Sequence, residues 1–148
     1  MTWVFLKMLL NSHSLFFCLS DTANVSIRMS DDRYGYLCYR PGSDPTNLVF
    51  QGTTPCSIPT CFTTLYSYFY SLRGYSLCMS LITQSNEQIV LKPYNVTFPC
   101  VPFIYDYANR QLRRLGTTEY LIPYADAGLN VPGLGSLIPS IQTELLPC

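Results

Sequence analysis

Six cysteines, Cys38, Cys56, Cys61, Cys78, Cys100 and Cys148, lie beyond residue 20, and no other feature narrows the fold as much. An even set in a short chain reads as a disulfide framework of three bridges. Six cysteines admit fifteen pairings, so spacing alone leaves the partners open. Disulfides need an oxidising compartment, and two sequons point the same way. Asn95-Val-Thr-Phe-Pro-Cys-Val-Pro-Phe103 starts with an N-glycosylation site and contains Cys100, and Asn24-Val-Ser is a second site; only a translocated chain can use either.

Residues 1–20 read as a signal peptide. Lys7 supplies the positive region, and Leu15-Phe16-Phe17-Cys18-Leu19 is apolar after an interruption at Asn11-Ser12-His13-Ser14. The small residues Cys18 and Ser20 fit the positions three and one before a cut at Asp21. Removing them leaves 128 residues, a typical single domain, and takes away Trp3, His13 and the seventh cysteine. No later run approaches the length of a membrane span. The expected destination is the ER lumen and the extracellular space.

The excision also narrows the chemistry. Nucleophilic catalysis through a Ser–His or Cys–His pair needs an imidazole, and none remains after His13. Cys56-Ser-Ile-Pro-Thr-Cys61 has no second close thiol pair to complete a zinc site. Asp31-Asp32, the only adjacent carboxylates, read as a solvated turn. Gly128-Leu-Asn-Val-Pro-Gly133 lacks the lysine and the strand–helix setting of a phosphate loop. With Lys7 gone, eight basic residues face nine acidic ones, so no basic stripe awaits nucleic acid. The expectation is a chain that is not an enzyme, carries no metal or cofactor, and acts through a binding surface.

Period-2 patterning dominates the middle of the chain. Leu65 to Leu72 places Tyr66, Tyr68, Tyr70 and Leu72 on one strand face, and the three tyrosines are a candidate interface. Arg73-Gly74 reads as a two-residue turn, Tyr75 to Ile82 as the returning strand, and Ile89 to Leu91 as another. From Tyr94 to Phe98 the alternation puts Tyr94, Val96, Phe98 and Cys100 on one side and Asn95 and Thr97 on the other. Tyr34–Tyr39 and Leu48–Gln51 are shorter candidates around the turn at Pro41–Pro45. Many short strands with frequent proline and glycine predict a β-sandwich. The expected division is a signal peptide at 1–20, an immunoglobulin-like β domain at 21–124, and an irregular Pro/Gly-rich tail at 125–148 with at most a helical turn near Ser136 to Leu146.

The motif Asn-x-Thr-x-x-Cys-x-Pro-Phe, with Cys78 upstream and Pro55-Cys56 before it, resembles the accessory glycoprotein encoded by the eighth open reading frame of SARS-related coronaviruses. The match runs from about Pro55 to Phe103. The resemblance implies a secreted immunoglobulin-like sandwich, glycosylated at Asn95, with a Cys78–Cys100 disulfide. It further implies a homodimer that meets host secreted or membrane immune proteins and serves immune evasion. Tyr107 and the region of Glu119 stand where the family carries cysteines. Cys38, Cys56, Cys61 and Cys148 are therefore left to pair in one of three ways, with Cys148 expected to staple the tail back and an interchain bond as the alternative. A structural virion-surface or extracellular assembly protein is the alternative function.

Overall fold

The computed structural model describes residues 23–65 and 68–148. These form twelve strands: β1 (Asn24–Met29), β2 (Leu37–Tyr39), β3 (Leu48–Phe50), β4 (Phe62–Leu65), β5 (Phe69–Leu72), β6 (Leu77–Leu81), β7 (Ile89–Lys92), β8 (Phe103–Asp106), β9 (Gln111–Arg114), β10 (Tyr120–Asp126), β11 (Leu129–Gly135) and β12 (Thr143–Pro147). They build two six-stranded sheets, β12-β1-β4-β5-β6-β7 and β2-β3-β11-β10-β9-β8. The chain is thus the all-β, disulfide-stapled sandwich expected. Residues 1–20, expected as a signal peptide, and Tyr66 lie outside the described residues.

Alternation explains which faces meet. In β1, Val25, Ile27 and Met29 point into the core while Asn24, Ser26 and Arg28 face outward. Phe62, Tyr70, Leu72, Met79 and Ile89 extend this inner layer across the first sheet, and Leu37, Leu48, Phe103, Leu112, Leu121 and Leu134 oppose them from the second. The chain crosses between sheets four times, and β12 returns to pair with β1 from Val25↔Pro147 to Met29↔Thr143. Ends far apart in sequence therefore share one sheet. Asp31 and Asp32 do sit in a turn, paired with Arg33 at 2.7 Å and Arg28 at 2.8 Å.

Three expectations are corrected. The strand drawn from Leu65 to Leu72 is two strands, with Leu65 paired to Phe69 and Phe62 to Leu72. In the sequence the alternation runs unbroken through Tyr66-Ser67-Tyr68, so periodicity does not reveal the bend; pairing buries Phe62, Tyr70 and Leu72 together. The following turn spans residues 73–76, four rather than two, with Gly74 at φ +83° and the Tyr75 N–H donating to Leu72 O.

The second correction is Tyr94 to Phe98, which is a loop. The N–H groups of Thr97 and Phe98 donate to Asn95 Oδ1 at 2.9 and 2.8 Å, so a side chain takes what a strand partner would have received. Pro93 and Pro99 contribute no donors. Val96 and Tyr94, placed with Phe98 and Cys100 on one strand side, are 90 % and 65 % exposed.

The third is the segment 125–148, which is β11, β12 and the end of β10 rather than an irregular tail. Pro123 and Pro132 face each other across β10 and β11. Leu134 N–H donates away from β10, to Glu87 O, and alternation gives Pro132 and its partner Pro123 the same orientation. Neither ring therefore removes a bond from that ladder. Gly133 and Gly135 provide space: a Cβ on Gly133 would overlap the Tyr124 ring, and one on Gly135 would lie 2.5 Å from Ile122 Cδ1. Tyr124 lies over both glycines, its hydroxyl donating to Leu134 O.

Candidate functional site

A sheet exposes unpaired backbone groups at its edges, which invite another chain to add on. Here all four edges are blunted. Beside β2, the segment carrying Cys56 is tied to Cys38, and Thr60 Oγ1 accepts the Tyr39 N–H at 3.0 Å. On β7, the buried Asn47 amide acts as a substitute strand: Nδ2 donates to Leu91 O and Oδ1 accepts the Leu91 N–H, both at 2.8 Å. Phe103 of β8 donates to Tyr68 O at 2.6 Å. On β12, Thr143 donates to Arg110 O and accepts from Tyr105 Oη, each at 2.7 Å, and Pro147 has no N–H to offer. Strand addition has little to grip.

The outer face of the first sheet is built differently. Asn24, Thr63, Ser71, Cys78 and Lys92 form one cross-strand row on it. Loop 93–100 folds over its β6–β7 end, held by the Cys78–Cys100 disulfide, by Ser80 Oγ donating to Phe98 O, and by Lys92 Nζ 3.6 Å from the Phe98 ring centre. Ser80 and Val90 point outward yet are buried, because the loop covers them. At the loop's flank a cleft of about 360 Å³ opens among Phe69, Ser71, Tyr75, Ser76, Leu77, Tyr94 and the disulfide. Tyr75 stacks edge-on with Tyr39, their centres 5.2 Å apart.

The other candidate residues separate. Tyr68 lies in the β4–β5 turn, 42 % exposed, whereas Tyr70 is in the core and its hydroxyl is pushed far above the usual phenol range by burial. The tyrosine stripe is not one surface, because the hairpin divides it. Tyr75 and Tyr94, which sequence reading did not single out as binding residues, are the exposed aromatics beside the cleft. Both sequons are exposed: Asn95 on the loop, Asn24 at the start of β1, its Oδ1 accepting from Thr63 Oγ1 at 3.0 Å.

The remaining cysteines resolve as Cys38–Cys56 and Cys61–Cys148. The latter straps the end of β12 to the start of β4 across β1, their Cα atoms 6.2 Å apart. Cys148 therefore has no thiol left for the interchain bond. At the positions that lack the family's cysteines, Tyr107 stacks on Tyr105 at 4.9 Å and Glu119 pairs with Arg114 at 3.2 Å. Among the described residues, no three His, Cys, Asp or Glu side chains gather as metal ligands, and no helix is long and apolar enough to cross a membrane. Asp106 is held below the usual carboxylate range by hydrogen bonds, first from Asn109 and then from Tyr120, whose hydroxyl lies 2.9 Å away.

Fold and staples together define a disulfide-rich β-sandwich suited to an oxidising compartment, such as the secretory lumen or the extracellular space. Comparison with protein-family models, with curated proteins and with solved structures gives no match to the chain.

Proposed function

We propose that the chain is a secreted or ER-lumenal viral accessory glycoprotein that binds host immune or secretory-pathway proteins and thereby serves immune evasion. It acts through its surface rather than through catalysis. The observation that carries this reading is loop 93–100: the motif resembling the coronavirus accessory family occurs there on an exposed, stapled loop with Asn95 accessible. The lack of a histidine beyond residue 20 supports a non-enzymatic role. The blunted edges favour a discrete body over the alternative of an open-ended assembly protein.

The test is expression in human or bat cells. The chain should appear in the ER and medium, oxidised and glycosylated, sediment as a discrete monomer or dimer, and co-purify with host secreted or membrane immune proteins that an unrelated secreted glycoprotein does not enrich. A reduced cytosolic product, open-ended polymers, or no such enrichment would each overturn the reading.

A further inference from the structure

Both sequons project from one side of the molecule. Asn24 opens the row that runs through Thr63 and Ser71 to Cys78, and Asn95 lies on the loop stapled over the same face. The cleft lies between them, and no charged side chain lines it. Tyr75 and Tyr94, at 47 % and 65 % exposed, present ring surface to solvent there, and Ser71 and Ser76 supply hydroxyls.

Each asparagine already has its side-chain carbonyl engaged. Asn24 Oδ1 accepts from Thr63 Oγ1, and Asn95 Oδ1 from two backbone N–H groups. In both cases Nδ2, the atom to which an N-linked sugar is joined, has no partner among the described residues. From Asn24 to Ser71 is two strand spacings, about 10 Å. The pair of N-acetylglucosamine units at the base of an N-linked glycan spans such a distance. A pyranose ring offers C–H faces to aromatic rings and polar groups to hydroxyls, which is the mixture this uncharged cleft provides.

We propose that the cleft is the bed of the glycan stem: the N-acetylglucosamine units on Asn24 run over Thr63 and Ser71 and settle against Tyr75 and Phe69, while the glycan on Asn95 covers Tyr94 and Val96. This rests on the reading of the chain as a glycosylated secreted protein. It withholds the outer face of the first sheet from protein partners and leaves them the second sheet and the loops at its ends.

The experiment uses chain secreted from glycosylating cells, with Ser26→Ala and Thr97→Ala as variants that each delete one sequon while keeping its asparagine. Glycopeptide mass spectrometry reads occupancy, and an apolar fluorescent dye together with the thermal midpoint reads the cleft. Stripping the sugars enzymatically from the unaltered chain, which leaves the Ser26 side chain in place, should raise dye fluorescence several-fold and lower the midpoint by about 3 °C. Ser26→Ala should reproduce most of this, and Tyr75→Ala should abolish the difference between sugared and stripped forms. A secreted chain bare at both sites overturns the glycoprotein reading as well. Asn24 bare with Asn95 occupied overturns the bed alone, and so does an occupied Asn24 whose removal changes neither signal.

Discussion

Loop 93–100 and the segment 120–148 are both punctuated by residues that discourage strands. The loop has Pro93, Asn95 and Pro99; the segment has Pro123, Pro132, Gly133, Gly135, Pro139 and Pro147. Local pattern reads the first as a strand and the second as mostly an irregular tail, and the structure reverses both. The difference lies in the direction each backbone group faces. Asn95 turns its own side chain onto the two N–H groups that a partner would need. Pro123 and Pro132 lack N–H groups that would point away from their shared ladder, and Gly133 and Gly135 are filled by Tyr124 and Ile122 from the neighbouring strand. A breaker breaks a strand only where the strand needed what it lacks.

The two regions are also secured differently, and substitutions can separate them. The largest expected effect is loss of Cys61–Cys148, which closes the longest loop: replacing both by Ala should cost about 4–5 kcal/mol in urea or thermal unfolding and expose β12 to hydrogen exchange. Replacing Cys78 and Cys100 by Ala should cost roughly 3 kcal/mol, with exchange rising around residues 93–102 and little change in β10–β11. If both pairs loosen the same amides, the two regions are one cooperative unit and the contrast fails.

Gln111→Ala should follow at about 2–3 kcal/mol. Its buried Nε2 donates to Ile138 O at 3.1 Å and to Ile141 O, pinning the connection from β11 to β12; truncation takes the donor from Ile141 O and leaves Ile138 O only the Ile141 N–H. Gly133→Ala should cost about 1–2 kcal/mol, because Tyr124 must leave its seat; a rise in Tyr124 solvent exposure in labelling or fluorescence would check it.

The mildest handle is alkaline pH. Burial raises the hydroxyl pKa of Tyr70, Tyr105, Tyr120 and Tyr124 in the folded chain. Their neutral forms are favoured by folding, so this stability is fully present below about pH 10 and is lost as pH rises beyond the unfolded value. Three of the four hydroxyls donate hydrogen bonds in the C-terminal half: Tyr105 to Thr143 O, Tyr120 to Asp106 and Tyr124 to Leu134 O. Exchange in β10–β12 should therefore rise with pH before it does around the loop. The reverse order would contradict this account.

Legibility followed the range of the interaction. Strands β2, β3, β6 and β7 showed in short runs of alternating or continuous apolar residues, each a local pattern. Strand β1 did not, although Val25, Ile27 and Met29 alternate cleanly, because it follows directly on the segment expected as a signal and overlaps the Asn24 sequon. Tyr66, Tyr68 and Tyr70 shared a face on paper, but the hairpin sends Tyr68 to a turn and Tyr70 to the core. Asn47 and Gln111 carry no motif; a lone amide gives no hint that it will cap a strand edge or pin a loop.

By itself the sequence determined that the chain is β-rich, that six cysteines beyond residue 20 suit a disulfide framework, and that two sequons are present. These are properties of composition and of nearest neighbours. Tertiary structure alone decided that Cys148 meets Cys61, that β12 pairs with β1, and that the glycine-rich end is strand. It also brought Asn24 and Asn95 to one face, with an aromatic cleft between them. Each of these depends on which distant strand lies alongside, and pairing partners are chosen by burying the whole core at once rather than by any one segment.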